Sequence, residues 1–243
     1  MILFLFKKKI LITVSHYNKR DKTNLIHLTD KLKQQNCDLL IVINDDFCET
    51  EFLSTFNNVK CLRRPNSGMN IGSWNASYLN NRNYDFYLFL QDECKIMDFS
   101  FLSQYIYELS KQDVGMTGES INTKWNNTWE VISKSGLNYL IGHDRNQSPI
   151  YRVQYYCYLL KKWSIKSGES GRHLRSLIWA FDNYTLENIC PFPVGRTKEE
   201  CIASEIAVSK KVEQLGLKVT QIHKRPFKYI SHIEWKLDGS SKL

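Results

Sequence analysis

The sequence predicts an α/β fold in which helices flank a doubly wound, mostly parallel sheet. Short apolar runs without polar alternation, typical of strands buried on both faces, recur at 10–14, 39–43 and 86–90, and a further strand is predicted near 59–62. Helical patterns separate them. The clearest spans about 23–35, where leucines recur every three to four residues. Strands alternating with helices in this way are typical of a parallel sheet.

Polar clusters follow three of the predicted strands directly. They occupy residues 15–18, 44–46 and 91–93. Ligands of open α/β sheets bind just beyond the carboxyl ends of the strands. The shared position of the clusters therefore predicts one binding site along that edge.

The chain of 243 residues is 42% hydrophobic and 24% charged, which predicts one domain with a sizeable core. The net charge of +8 favours phosphates, nucleic acid or an anionic membrane surface as partners. Seven cysteines without a CxxC pair argue against a disulfide framework and a structural zinc site. We therefore expect a cytoplasmic protein with reduced thiols, with peripheral contact to the inner face of the membrane as an option.

The second half is less regular. Helices are predicted at about 101–111 and 197–215, the latter with the capping-box pair Thr197 and Glu200. Residues 119–150 are expected to form long loops, and 151–160 a strand. No repeat or linker marks a second domain.

Adjacent acids at the end of a buried strand, Asp92 and Glu93, need a positive charge nearby. Their hard oxygen donors suit Mg²⁺ or Mn²⁺, although a strand ending in solvated acids explains them equally well. His232 lies in a strand-like segment and is a candidate metal ligand, with a structural histidine as the alternative. Glu205 lies beside the apolar face of the last helix, where a half-buried carboxylate suits a general base; a solvated acid is the alternative.

Further polar residues suit a phosphate or nucleoside. Asp45 or Asp46 could accept hydrogen bonds from a ribose or a base, although ordinary turn chemistry explains them too. Arg64 could pair with phosphates. Gly68 and Gly72 permit close backbone approach to a ligand at a helix start.

Four stretches together resemble the GT-A nucleotide-diphospho-sugar glycosyltransferases, similar to glycosyltransferase family 2 and rhamnan synthesis F type proteins. Residues 14–18 resemble the first-strand motif, and 66–74 resemble Asn-x-Gly-x-Asp-Ile-Gly-x-Trp, with Asn70 at the usual Asp position. Residues 90–93 occupy the Asp-x-Asp position, with Gln91 in place of the first Asp. Glu205 matches the acidic base of the family.

The resemblance implies a single GT-A domain over 1–243, with a nucleotide-sugar half at about 10–118 and an acceptor and base half at about 119–243. It implies an inverting transfer, a pyrimidine nucleotide donor by preference, a glycan or lipid-linked glycan acceptor, and no nucleic acid partner. Trp125 and Trp129 would shape the acceptor site or fill the core. The implied donor-binding residues are Ser15, Tyr17, Asn18, Asp45, Asp46, Arg64, Asn66, Gly68, Asn70, Gly72, Gln91 and Asp92. Asp92, Glu93 and His232 would hold Mn²⁺ or Mg²⁺, and Glu205 would be the base.

Two other functions remain open at this point. Glu93 and Lys95 fit the acid-x-Lys half of a metal-dependent nuclease, with Asp85 or Asp45 as the remote acid. A non-catalytic GT-A relative that binds a glycan or nucleotide is the second, suggested by Gln91.

Overall fold

The computed structural model describes residues 8–45, 56 and 59–233. The strands are β1 (Ile10–Tyr17), β2 (Asp38–Asn44), β3 (Lys60–Arg64), β4 (Phe86–Gln91), β5 (Cys94–Ile96), β6 (Val114–Gly118), β7 (Leu140–His143), β8 (Pro149–Tyr151), β9 (Ile178–Asp182), β10 (Lys218–Gln221) and β11 (Ile230–His232). The helices are α1 (Thr23–Leu32), α2 (Met69–Asn80), α3 (Phe101–Leu109), α4 (Trp129–Ser133), α5 (Arg152–Lys162), α6 (Asn183–Ile189) and α7 (Lys198–Gln214), with a 3₁₀ turn at Thr123–Trp125.

The central sheet has seven strands in the order β10-β6-β9-β4-β1-β2-β3. β1 pairs in parallel with both β2 and β4, and β2 pairs in parallel with β3. β9 runs antiparallel between β4 and β6, and β10 is parallel to β6. The predicted mostly parallel sheet is confirmed, with β9 as its antiparallel member.

Apolar clusters cover both faces of this sheet, which explains why the central strands β1, β2 and β4 have no solvent-exposed polar face. Ile10, Ile12 and Val14 of β1 pack on one side with α1 and α3, whereas Leu11 packs on the other with α2 and α7. A third cluster joins α4, α5 and α7. Because both faces are covered, ligand access is left to the edge formed by the strand ends.

The predicted strand at 151–160 is wrong. Residues Arg152–Lys162 form α5, and only 149–151 are extended. The buried side chains are Val153, Tyr156, Leu159 and Leu160, a three-to-four-residue spacing that belongs to a helix. The aromatic and β-branched residues that suggested a strand are accommodated because they pack against α7. Residues 119–150 likewise contain short helical turns and a hairpin strand.

The last helix agrees with its prediction to within one residue at each end. Thr197 and Glu200 form the capping box, in which each side chain bonds the backbone N–H of the other. Gly216 then adopts a left-handed conformation with φ +77°, which glycine tolerates without strain. The cap fixes where α7 begins and therefore sets the height of its acidic side chains above the sheet.

The described residues contain six cysteines, and all six are free thiols. Within the same residues, every helix is too short or too polar to meet the requirements of a bilayer crossing.

Candidate active site

A pocket of about 470 Å³ lies at the carboxyl ends of β1, β2 and β4. The N-terminal half of α7 forms the opposite wall. The lining residues are Ser15, Tyr17, Arg20, Asn44, Asn66, Met69, Asn70, Gln91, Asp92, Ser176, Leu177, Lys198, Cys201, Ile202 and Glu205. The polar clusters predicted at 15–18, 44–46 and 91–93 therefore each contribute to one cavity.

The pocket collects seven of the predicted site residues from four separate stretches of sequence. They are Ser15, Tyr17, Asn66, Asn70, Gln91, Asp92 and Glu205. Other predicted residues do not line the cavity in the described structure: Asn18, Asp45, Arg64, Gly68, Gly72, Glu93 and His232. Asp46 lies outside the described residues.

Ser176 connects the two walls of the pocket. Its carbonyl accepts hydrogen bonds from the amides of Asn70 and Gln91, the latter at 2.8 Å. Its N–H and hydroxyl both donate to Oε1 of Glu205. Ser176 therefore fixes the side chains of Asn70 and Gln91 on one wall and the carboxylate of Glu205 on the other.

Glu205 is held at the pocket in a half-buried position. Its side chain is 18% exposed, and its Oε2 lies 3.2 Å from Nε2 of the fully buried His173. The predicted enclosure of this carboxylate is present. A fixed, partly desolvated carboxylate that reaches a cavity is suited to accept a proton from a bound hydroxyl.

Arg64, Gly68 and Gly72 form the connection from β3 into the first turn of α2 and do not line the cavity in the described structure. Arg64 Nη1 donates to Oδ1 of Asn44 at 2.6 Å, and Nη2 donates to the carbonyl of Ser67. A Cβ at Gly72 would lie 2.1 Å from that carbonyl and 2.8 Å from Arg64 Nη2. Gly68 is left-handed with φ +75°. The two glycines are therefore required by packing of the turn, and Arg64 orients Asn44 toward the pocket.

Two basic groups contact the predicted acidic pair. Nδ1 of His16 donates to Oδ2 of Asp92 at 2.5 Å, within a buried contact. The Arg20 guanidinium forms an ion pair with Glu93 and lies 3.4 Å from Oδ1 of Asp92. Arg20 also lines the pocket. The acids at the end of β4 are thus already balanced by protein cations or donors.

Burial lowers the pKa of His232 to about 4, so its ring is neutral near pH 7. The Gln91 amide uses its NH₂ on Ser176, which leaves Oε1 facing His232 Nε2 at 3.2 Å. Since this oxygen only accepts, Nε2 carries the hydrogen. Oε2 of Glu93 lies 3.8 Å from the same nitrogen.

This arrangement does not fit a divalent cation as it stands. Asp92 and Glu93 supply suitable oxygens, but Arg20 pairs with both of them, and His232 directs an N–H, not a lone pair, toward Gln91. Among the residues described, no three His, Cys, Asp or Glu side chains form a group that could hold a metal. The predicted ligands lie near one another without the geometry of a metal site.

The nuclease arrangement with Asp85 as the remote acid is contradicted. Asp85 precedes β4 and caps the backbone N–H of Lys9, whereas Glu93 follows the same strand. They are separated by the length of a six-residue strand, about 20 Å. Lys95 is exposed on β5 and does not line the pocket in the described structure.

The acceptor-site role considered for Trp125 and Trp129 gains no support from their positions. Trp125 is buried against Tyr156 with ring centroids 5.3 Å apart, and Trp129 packs beside it. Both belong to the cluster beneath α5 and α7. The core alternative is the correct one for Trp125.

The predicted site residues do not include His16, Arg20, His173, Ser176 or Lys198. His16 and Arg20 stand in or beside a recognised polar cluster, so their proximity to the strand end was the available signal. His173 and Ser176 lie in an irregular segment before β9 and carry no motif.

No protein-family model matches the sequence, and comparison with curated proteins gives no match. Solved structures do match. A mannosyltransferase from Pyrobaculum calidifontis, in complex with GDP-Man and Mn²⁺, superposes with a TM-score of 0.54 at 10% identity over 88% of this chain. The chain spans only 55% of that protein.

Glucosyl-3-phosphoglycerate synthase from Mycobacterium tuberculosis superposes with a TM-score of 0.53 at 11% identity, over 96% of this chain and 74% of its own. One of its matching structures contains Mn²⁺, UDP and glucosyl-3-phosphoglycerate. Both neighbours are nucleotide-sugar glycosyltransferases, and both share the mixed, mostly parallel sheet flanked by helices. The chain therefore has the GT-A fold that the sequence predicts.

Proposed function

We propose that the chain is a glycosyltransferase that moves a sugar from a nucleoside-diphosphate donor to an acceptor hydroxyl. One observation carries the proposal. A single cavity at the strand ends combines the polar groups of β1, β2 and β4 with a half-buried carboxylate, Glu205, on its far wall. That cavity occupies the ligand-binding edge of the sheet in a fold shared with nucleotide-sugar transferases.

The strand-end wall suits the nucleotide part of the donor. Tyr17 offers a ring and a hydroxyl, and Asn44 and Asn66 offer amides that can bond a ribose or a base. Arg20 and Lys198 approach the cavity from opposite sides and offer positive charge for a diphosphate. A pyrimidine nucleotide is the donor expected from the sequence resemblance, and the two neighbours hold GDP-Man and UDP.

Glu205 supplies the base. In the proposed step it takes the proton of the acceptor hydroxyl while that oxygen bonds to the anomeric carbon. The bond from that carbon to the diphosphate breaks, and its electron pair leaves with the nucleoside diphosphate. A single displacement of this kind inverts the anomeric configuration. Ser176 supports it by holding Oε1 of Glu205 with two hydrogen bonds.

A Mn²⁺ or Mg²⁺ cofactor remains a prediction from the sequence. Mn²⁺ is present in both neighbours, but the carboxylates of Asp92 and Glu93 are already paired with Arg20 here. We therefore assign no step to a metal. Arg20 can offset charge on the leaving diphosphate once the nucleotide draws it from the acids.

The acceptor is proposed to be a glycan or lipid-linked glycan in surface polysaccharide or glycoconjugate synthesis. Support comes from the sequence resemblance and from the net charge of +8, which suits a cytoplasmic protein that meets anionic lipid at the membrane's inner face. In this proposal residues 10–118 carry most donor contacts, and 119–243 carry the base and the acceptor side.

Thermal unfolding against UDP, GDP, dTDP and their sugars, each with Mn²⁺ or with EDTA, tests the proposal. A nucleotide at a hundred times its Kd should stabilise the fold by about 2.7 kcal/mol. Lys198→Ala removes an exposed pocket cation and should weaken that shift, whereas Lys161→Ala, exposed on α5, should leave it unchanged. A protein that no nucleotide stabilises would contradict the proposal.

The non-catalytic alternative shares the same pocket. It predicts nucleotide binding without turnover. Hydrolysis of the stabilising nucleotide sugar, or transfer to an acceptor mixture, distinguishes an enzyme from this alternative. Glu205→Gln should lower that turnover without weakening nucleotide binding.

A further inference from the structure

The imidazole of His173 is completely buried and its Nδ1 has a defined role. This nitrogen lies 2.6 Å from the carbonyl oxygen of Gly171. A carbonyl only accepts, so Nδ1 carries a hydrogen and donates it. The remaining nitrogen, Nε2, therefore carries a lone pair whenever the ring is neutral.

The other neighbours of Nε2 agree with that tautomer. Arg175 Nη2 lies 3.2 Å from Oδ1 of Asn122, and a guanidinium only donates. The amide of Asn122 is thereby oriented, so its NH₂ faces His173 Nε2 at 3.3 Å. While the ring is neutral, Nε2 accepts that hydrogen bond. The backbone N–H of Asn122 also donates to the carbonyl of His173 at 2.9 Å, which fixes the two residues together.

Glu205 places a second acceptor against the same nitrogen. Its Oε2 lies 3.2 Å from Nε2 of His173, while Oε1 is used by Ser176. An ionised carboxylate and a neutral imidazole lone pair cannot bond each other. A hydrogen bond at this distance needs one proton between them, on either Oε2 or Nε2.

We propose that His173 and Glu205 form a proton-sharing pair and that His173 is a positioning residue for the base. The inference rests on the proposed function of Glu205. The acceptor O–H bond breaks as its oxygen bonds to the anomeric carbon, and the proton goes to Glu205. The pair enters the step without a proton, and the transferred proton is then held between Oε2 and Nε2 of His173, the arrangement seen in this structure, until it is lost to solvent after the products leave.

The other charged side chains around the pair form hydrogen bonds or ion pairs with other residues. Arg175 faces His173 through Asn122. Arg172 lies 3.8 Å from Glu213, which also pairs with Lys210 at 2.7 Å. The carboxylate of Glu205 lies against the imidazole, with Oε2 at 3.2 Å from Nε2. Glu205 is therefore the partner with which the ring can exchange a proton.

Nitrogen-15 NMR of the histidine rings in the unliganded protein tests the pair directly. The chain has six histidines, and His173→Gln identifies the signal of interest by its loss. Nδ1 should remain protonated at every pH, while Nε2 and the Glu205 carboxyl carbon change over the same pH interval. In Glu205→Gln, the transition of Nε2 should move to a different pH. The proposed pair would be overturned if Nε2 carried a hydrogen at every pH. It would also be overturned if the Nε2 transition occurred at the same pH in Glu205→Gln as in the parent.

The pH–rate profile of sugar transfer or donor hydrolysis provides the functional readout. His173→Gln keeps a polar side chain that can donate to Glu205 but cannot take its proton. We expect kcat to fall about tenfold, part of the 10²–10⁴ that general bases contribute, and the acid limb of the profile to change. His143→Gln, at an exposed position of β7, is the matched control. An unchanged profile in His173→Gln would reduce His173 to a packing role.

The two inferences fail in different ways. If the NMR signals are coupled but no nucleotide stabilises the protein, the pair stands and the glycosyltransferase proposal fails. If a nucleotide binds and turns over but the signals are independent, the pair alone is overturned. His173→Gln is interpreted only when its unfolding temperature and nucleotide shift match those of the parent, and Glu205→Gln supplies the second variant.

Discussion

Arg20 pairs with Glu93 at the edge of the candidate pocket, and the same guanidinium lies 3.4 Å from Asp92. This pairing provides the positive charge that the acidic residues at the end of β4 require. Because Arg20 also lines the cavity, it can contact a bound diphosphate. We therefore predict that nucleotide diphosphates stabilise the protein in EDTA as well as in Mn²⁺. Thermal unfolding with UDP and GDP measures this.

Substitution of Arg20 extends the same prediction. Arg20→Ala should weaken nucleotide diphosphate binding by about tenfold or more, because a charge-assisted hydrogen bond contributes about 1.5–3 kcal/mol. Lys19→Ala, at the exposed neighbouring position, controls for net charge. If EDTA abolishes binding and Arg20→Ala does not weaken it, Asp92 and Glu93 bind a metal as the sequence predicts.

Removal of the proposed base should affect turnover and not binding. Glu205→Gln keeps the shape of the side chain and an oxygen for Ser176, but it cannot accept the proton. We expect kcat to fall by about 10²–10⁴, with nucleotide affinity within about twofold. Glu169→Gln, an exposed acid in the segment before β9, should match the parent. Equal losses in affinity and kcat would indicate that Glu205 serves binding or folding.

The sequence predicts the strands and the strand-end clusters well because those patterns are local. An apolar run such as 86–90 identifies a buried strand, and parallel pairing then brings its end beside those of β1 and β2. The contacts within the pocket are not local. Ser176 and Gln91 are hydrogen-bonded although they are 85 residues apart in sequence. Ser176 lies in an irregular segment that has no hydrophobic periodicity to predict its position. The position of Trp125 is equally hard to predict. Its side chain is buried against α5, and the sequence of that segment suggests a strand.

The first turn of α2 offers a prediction about stability. A Cβ at Gly72 would lie 2.1 Å from the Ser67 carbonyl, a backbone atom that cannot move aside cheaply. Gly72→Ala should therefore destabilise the fold by about 1–3 kcal/mol, despite the better helix propensity of alanine. Displacement of Arg64 should also release Asn44 and weaken nucleotide binding.

Gly142→Ala is the matched control for that substitution. An added Cβ there meets no atom of the described residues within 4 Å. Chemical unfolding of both variants gives the comparison. A Gly72→Ala variant that is as stable as the parent but fails to bind nucleotide would instead support the direct ligand contact that the sequence suggests.

Glu119 gives the fold a defined pH dependence. It follows β6 and is buried, and it accepts hydrogen bonds from the Tyr105 hydroxyl and the Ile230 N–H. Burial raises its pKa to about 7, above the ordinary value of 4.5, although those hydrogen bonds act in the opposite direction. The folded state therefore binds this proton more tightly than the unfolded chain does.

The consequence for stability has a definite sign. Between about pH 4.5 and 7 the folded protein retains a proton that the unfolded chain releases, so stability is greatest below 4.5 and decreases as pH rises to 7. The contribution is on the order of 3 kcal/mol across that window.

Glu119→Gln carries no titrating proton, so the difference in unfolding free energy between parent and variant should change over this interval. Denaturant unfolding at pH 5 and pH 7.5 measures it, with Glu169→Gln as the exposed control. A constant difference between the two pH values would mean that Glu119 is ionised in the folded protein, and that its hydrogen bonds from Tyr105 and Ile230 outweigh the cost of burying its charge.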